Sequence, residues 1–177
     1  MKNRPTLVEY KKSLTAPLRR ATLCFLVKDD QVLLAMKKRG FAEGKWNGVG
    51  GKVADKDESV EAAATREIFE EIGVTPKSLR NMATLNSYFL NKPEWGQQVT
   101  IYIVKEWGGE PKESEEMRPR WFNIDEIPFD QMWEDERLWL PQILNGLEIN
   151  ISLLFDENQK LLEQDMRKVK GGEKINV

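Results

Sequence analysis

Three glutamates, Glu67, Glu70 and Glu71, stand at spacing i, i+3 and i+4, with Glu58 and Arg66 ahead of them. A helix puts all three carboxylates on one side. A row of helical acids is ordinarily a solvated face, but the helical wheel argues otherwise here. At about 100° per residue, Val60, Ala63 and Ala64 share that side, while Glu61 and Thr65 face away. The apolar first half must turn toward the protein body, so all three carboxylates are expected to point inward. Like charges gathered on a partly buried surface repel one another and lose hydration. Divalent cations would remove that cost. The chain contains no histidine, which excludes Ser-His-Asp and Cys-His catalysis, histidine-ligated zinc and zinc deaminase chemistry. Carboxylates and carbonyls favour a hard ion, so Mg²⁺ is expected, with Mn²⁺ as a substitute. Such an ion would neutralise a polyphosphate, polarise phosphorus and acidify an attacking water. The chemistry in view is metal-assisted hydrolysis of a phosphoric anhydride.

These acids need a helix over Ser59–Ile72, with Asp57 or Ser59 as N-cap and Gly73 as the stop. Before it, Gly40, Gly44, Gly48, Gly50 and Gly51 allow close backbone approach or positive φ. No P-loop fits this stretch, because neither Gly44-Lys45-Trp46 nor Gly51-Lys52-Val53 has the required spacing or a following Ser/Thr. Ala21–Val27 and Val32–Met36 read as a β-hairpin, and Ala83–Leu90 and Gln98–Val104 as further strands. Trp121-Phe122 begins another apolar patch, and Asp135–Leu144 reads as a second helix ending near Gly146. Glu148–Phe155 and Lys160–Val169 read as a closing hairpin, with the second arm open between strand and helix. No repeat or linker interrupts them. One α/β domain over residues 21–170 is expected, with a flexible arm at 1–20 and a tail at 171–177.

A length of 177 residues suits one domain, and 40% hydrophobic with 32% charged content describes an ordinary globular protein. The net charge of −2 argues against a surface for long nucleic acid, while a local basic cluster suffices for a small nucleotide. The lone Cys24 lies among Leu23, Phe25 and Leu26, which reads as a core strand in a reducing cytoplasm. No apolar run reaches the roughly 18 residues that cross a bilayer. Lys2, Arg4, Lys11, Lys12, Arg19 and Arg20 face only Glu9 in the first 20 residues and show no amphipathic pattern, hence the flexible arm. A monomer or weak homodimer is expected.

The segment Gly51–Val74 resembles the Nudix box, G-x5-E-x7-R-E-U-x-E-E-x-G-U. Glu58, seven intervening residues and Arg66-Glu67-Ile68-Phe69-Glu70-Glu71-Ile72-Gly73-Val74 match it, with six residues instead of five between Gly51 and Glu58. Met36–Phe41, Gly44–Val53, Glu116–Phe122, Ile127-Pro128-Phe129 and Met132-Trp133 resemble the MutT-homologue subfamily of oxidised purine nucleoside triphosphatases, so the likeness runs from Ala21 to Val169.

The resemblance implies a mixed β-sheet between helices and hydrolysis of a nucleoside triphosphate to monophosphate and pyrophosphate, with attack at the β-phosphorus. It implies Gly51, Glu67, Glu70, Glu71 and Glu116 as metal-site residues, and an Arg66–Glu58 pair bracing the loop. It carries base-pocket roles to Thr22, Lys37, Phe41, Asn47, Met117, Trp133, Asp135 and Glu136, and phosphate contacts to Val49, Gly50, Gly51 and Lys52. Trp133 supports this from its own chemistry: an indole stacks on a purine while the following acids accept from the base edge. Glu136 stands where the subfamily has aspartate, and Ser87 replaces an aromatic pocket residue, with Phe89 nearby. The alternatives are a Nudix hydrolase for another diphosphate, such as ADP-ribose or a dinucleoside polyphosphate, and a non-catalytic Nudix-fold binding module.

Overall fold

The computed structural model describes residues 4–175. A two-residue strand inside the glycine stretch and seven longer ones build an eight-stranded sheet: β1 (Arg19–Lys28), β2 (Gln31–Lys37), β3 (Trp46–Asn47), β5 (Arg80–Phe89), β6 (Gln97–Val104), β8 (Met117–Asn123), β9 (Ile149–Phe155) and β10 (Leu161–Lys168). The order is β10-β9-β5-β6-β1-β2-β3, with β8 also on β2; a separate pair joins β4 (Thr75–Pro76) to β7 (Trp107–Gly108). β1 pairs β6 in parallel, as β5 pairs β9, whereas β1/β2, β5/β6, β2/β8 and β9/β10 are antiparallel. The sheet is therefore mixed, and the closing hairpin is β9/β10, with no helix in its second arm.

Alternation along the strands divides the core. Phe25, Leu34, Ile101, Ile103 and Leu153 pack under helix α3 (Glu136–Leu144) through Trp139, Leu140 and Ile143. Cys24, Leu26, Leu33, Tyr102 and Val104 face the other way, onto Ala64, Ile68 and Ile72 of helix α2 (Val60–Ile72). Ser59 caps α2 by accepting from the Ala62 amide, and Gly73 ends it. Among the described residues no helix is long and apolar enough to cross a membrane.

Residues 4–18, expected as a flexible arm, are instead ordered against the sheet. Thr6 and Glu9 close a full capping box on helix α1 (Leu7–Ser13), and Leu7 is buried with Tyr88 and Leu154. The sequence shows no clear helical stripe there because one heptad's worth of residues anchors through a few contacts. At the other end, Lys174 bridges Arg167 and Ile175 packs on the core, so this part of the tail also belongs to the domain. Residues 1–3 and 176–177 of the expected arm and tail lie outside the described residues.

Candidate active site

α2 delivers its acids unevenly. Glu71 is 7% exposed, and its Oε2 accepts the Gly50 amide at 2.9 Å. Burial pushes its carboxyl up to about 7, and the nearby Glu67 and Glu116 charges add to the shift against the pull of Gly50 and Lys37. Glu67 is largely covered, whereas the Glu70 side chain is 54% exposed. The expectation that all three point inward is thus corrected: the face buried against the sheet runs through Ala64, Ile68 and Glu71, and leaves Glu70 on the rim.

Arg66 organises the rim. Its Nη1 donates to Glu67 Oε1 at 2.7 Å and Glu70 Oε2 at 3.1 Å, and its Nη2 reaches the Lys52 carbonyl at 3.2 Å. The expected Arg66–Glu58 pair does not form. Asp57 takes its place, accepting from Nε at 2.9 Å and Nη2 at 2.8 Å while also accepting the Ala54 amide. Hydrogen bonds from Arg66 hold the Asp57 carboxyl down to about 2. Glu58 is exposed. The cause is the additional loop residue: counted from Gly51, five residues lead to Asp57, the spacing the box assigns to its glutamate.

Two glycines let backbone approach this acid cluster. A Cβ on Gly50 would lie 2.2 Å from the Thr22 carbonyl oxygen, and one on Gly51 would lie 2.5 Å from the Glu67 carboxyl carbon. Glu116 joins from the start of β8, paired with Arg39 at 3.0 Å and Lys37 at 3.5 Å. Its carboxyl is held below the usual range by Arg39 first and Lys37 next. Among the described residues no three acidic side chains converge into a ready-made metal cage. Glu67 and Glu70 nevertheless share one cationic centre, the Arg66 Nη1, so two carboxylates from successive turns can meet on a single positive charge. The donors are all oxygen, which suits a hard divalent ion.

On the α3 face of the sheet lies a cleft of 510 Å³, the size of a small-molecule site. Phe41 and Trp133 stack at 5.6 Å, with Lys45 Nζ 5.0 Å above the indole. A second aromatic wall is Phe89, stacked on Phe155 at 5.1 Å and edge-on to Trp95 at 5.8 Å. Asn47, Asp135 and Glu136 are among its polar groups, with Arg19, Lys52, Ser87, Gln97 and Gln159. Asp135 Oδ2 accepts from Trp139 Nε1 at 2.8 Å. Glu136 is 2% exposed, and its Oε2 has no hydrogen-bond partner. Burial raises the Asp135 carboxyl; it raises that of Glu136 well above the usual range, with the Asp135 charge adding to it.

Residues 17–143 match the NUDIX domain family. The chain is a Nudix hydrolase. Its relatives include the oxidized purine nucleoside triphosphate hydrolase of Danio rerio, 49% identical over 70% of this chain and 78% of the relative. The Mus musculus protein of the same name is 38% identical over 84% of this chain and 94% of the relative. In structure the chain is similar to the Mutator MutT protein of Bacillus halodurans, with a TM-score of 0.72, 25% identity and coverage of 84% and 97% of the two chains. Nudix hydrolases generally need divalent cations, and a small nucleotide is consistent with that family.

The structure brings Phe41, Asn47, Lys52, Trp133, Asp135 and Glu136 together around the cleft. Thr22, Lys37 and Met117 do not line it. Strand alternation turns Thr22 to the Nudix-helix face, where its hydroxyl meets Gly51, and presents Leu23 to the cleft. Met117 is buried beneath the Nudix helix, and Lys37 stands beside Glu116. Val49 is buried, its amide and carbonyl bonded to Cys24. Ser87 and Phe89 both line the cleft. Leu153, Phe155, Trp95 and Arg19 also line it and were not anticipated. The strand parity of β9 carried the signal for Leu153 and Phe155, but only the β5–β9 pairing reveals which parity faces the cleft.

Proposed function

We propose that this enzyme is a Mg²⁺-dependent nucleoside triphosphate pyrophosphohydrolase, acting in the cytoplasm on oxidised purine nucleotides such as 8-oxo-dGTP. The observation that carries this reading is the cleft's pairing of stacked aromatics with two adjacent buried carboxyls, one of which keeps an unpartnered oxygen. A guanine offers N1–H and N2–H₂ donors that the carboxyl oxygens of Asp135 and Glu136 can accept. Asn47 can read both kinds of group, although its Oδ1 is engaged by the Gly48 amide at 2.7 Å, which leaves its amide donors free to turn to a base carbonyl. Oxidation at C8 converts N7 from acceptor to donor, so this set of groups can separate the two bases. The Danio and Mus relatives carry the matching name.

Glu67, Glu70, Glu71, Glu116 and the Gly51 carbonyl would hold the metal. When bound, the metal would neutralise the polyphosphate and acidify the attacking water. Arg66 and Asp57 fix the loop that carries Gly51 and Lys52. Lys52 lines the cleft and lends its carbonyl to Arg66, linking base and phosphate ends. The test compares kcat/KM for 8-oxo-dGTP, dGTP and ADP-ribose with pyrophosphate detection. A preference for 8-oxo-dGTP with pyrophosphate release is expected, and ¹⁸O from water should appear in the pyrophosphate. Equal turnover of the two purine triphosphates, or preference for ADP-ribose, would overturn the base assignment.

A further inference from the structure

α1 touches neither the acids of the Nudix helix nor the interior of the cleft, yet it is tied to the back of the cleft wall at several points. Tyr10 donates its hydroxyl to the Phe89 carbonyl, and its ring meets Tyr88 edge-on at 6.3 Å. Lys11 Nζ lies 2.7 Å from Ser152 Oγ, and the Leu7 amide donates to Glu163 Oε2 at 2.8 Å. Tyr88 and Leu154 are buried beneath the helix with Leu7. Beyond the helix, Leu18 lies so close to Gly96 that a Cβ there would sit 2.7 Å from Leu18 Cδ2, and the Arg19 amide donates to the Gly96 carbonyl.

Apart from Glu163, each tethered residue is the chain neighbour of a cleft residue, or a cleft residue held by its own backbone. Phe89 is held by its carbonyl, while Ser152 and Leu154 flank Leu153, and Gly96 lies between Trp95 and Gln97. Because successive strand side chains point to opposite faces, fixing one face of β5 and β9 sets the direction of the other. We propose that residues 4–18 are a strap that positions the Phe89–Phe155–Trp95 wall, with Tyr10 and Leu18 as positioning residues that set affinity for the base. This deepens the purine-cleft reading and rests on it. The strap keeps the wall pre-formed, which lowers the ordering cost of binding.

The experiment uses the full chain and the Tyr10→Phe and Leu18→Ala variants, of which Tyr10→Phe keeps the ring packing and removes only the hydroxyl. Amide hydrogen exchange is followed in residues 86–97 and in the Nudix helix, alongside KM and kcat for 8-oxo-dGTP. Exchange in 86–97 and KM should each rise about three- to tenfold, the range expected for one lost hydrogen bond. The exchange of α2 and kcat should stay within about twofold of wild type. Unchanged exchange and KM, or a fall in kcat with KM constant, would overturn the strap. If the wild type shows no preference for 8-oxo-dGTP over dGTP, the purine reading fails. The exchange data then decide the strap alone, local loosening of 86–97 upholding it and uniform or absent change rejecting it.

Discussion

On the Nudix helix and in the loop before it, the covered carboxylates have partners: Glu71 accepts from the Gly50 amide, Glu67 from Arg66, and Asp57 from Arg66 and the Ala54 amide. In the cleft, Asp135 is bonded to Trp139, but one Glu136 oxygen has no hydrogen-bond partner within the protein. The first region holds its charges by a cage that its own local sequence supplies. The second leaves a buried polar group for something else to satisfy, and an unmet group of this kind costs free energy until a ligand completes it. Hydrolytic power and base choice are therefore separable, each open to disruption on its own.

The largest effect should come from breaking the cage at its centre. Glu71→Gln keeps an acceptor for Gly50 and relieves a costly buried charge, so melting temperature should hold while kcat falls about a hundredfold or more. Excess chelator should abolish turnover in the wild type, and activity surviving chelation would break the metal half of the comparison. Asp57→Ala and Glu58→Ala sharpen it next. Loss of Asp57 should lower activity about 10- to 100-fold, the cost typical of residues that orient a metal-site ligand, whereas Glu58→Ala should leave kcat/KM near wild type. On the cleft side, Asp135→Asn or Asn47→Ala should cut the preference for 8-oxo-dGTP over dGTP about tenfold with little change in kcat, measured as a ratio of kcat/KM values.

The smallest effect concerns stability. Burial, with the Asp135 charge, holds the Glu136 carboxyl well above its ordinary 4.5, so the folded protein keeps a proton that the unfolded chain releases. Stability from this group is complete below about pH 4.5 and is lost as pH rises toward the folded value. Glu136→Gln should flatten the decline of melting temperature with pH in that range. An unchanged slope would mean that Glu136 is not the group responsible.

The same contrast governs what could be read from the amino-acid string. The acid helix was legible because its ligand spacing, cap and stop lie within one continuous segment, and helical periodicity ties them together. Where it misled, the fault was angular: Glu70 lies just off the buried stripe that Ile68 and Glu71 define. Likewise, spacing counted back from Arg66 pointed to Glu58, whereas spacing counted from Gly51 points to Asp57, the acid that Arg66 binds. The cleft was legible in the part carried by motif resemblance, at Phe41, Asn47, Lys52, Trp133, Asp135 and Glu136. Its other wall depends on β5 meeting β9 in parallel, a pairing between segments far apart in the chain. α1 was missed for a related reason, since its anchors are Phe89, Ser152 and Glu163 and not a stripe of its own.

The neighbouring acids Asp57 and Glu58 make the loop tolerant of drift in length. A lineage that lost one residue between Lys52 and Lys56 would restore the five-residue interval to Glu58, whose carboxyl could then take over from Asp57 without an intermediate that lacks a partner for Arg66. A box pattern that counts strictly from its glycine to a glutamate overlooks this chain, where the sixth residue after Gly51 is Asp57.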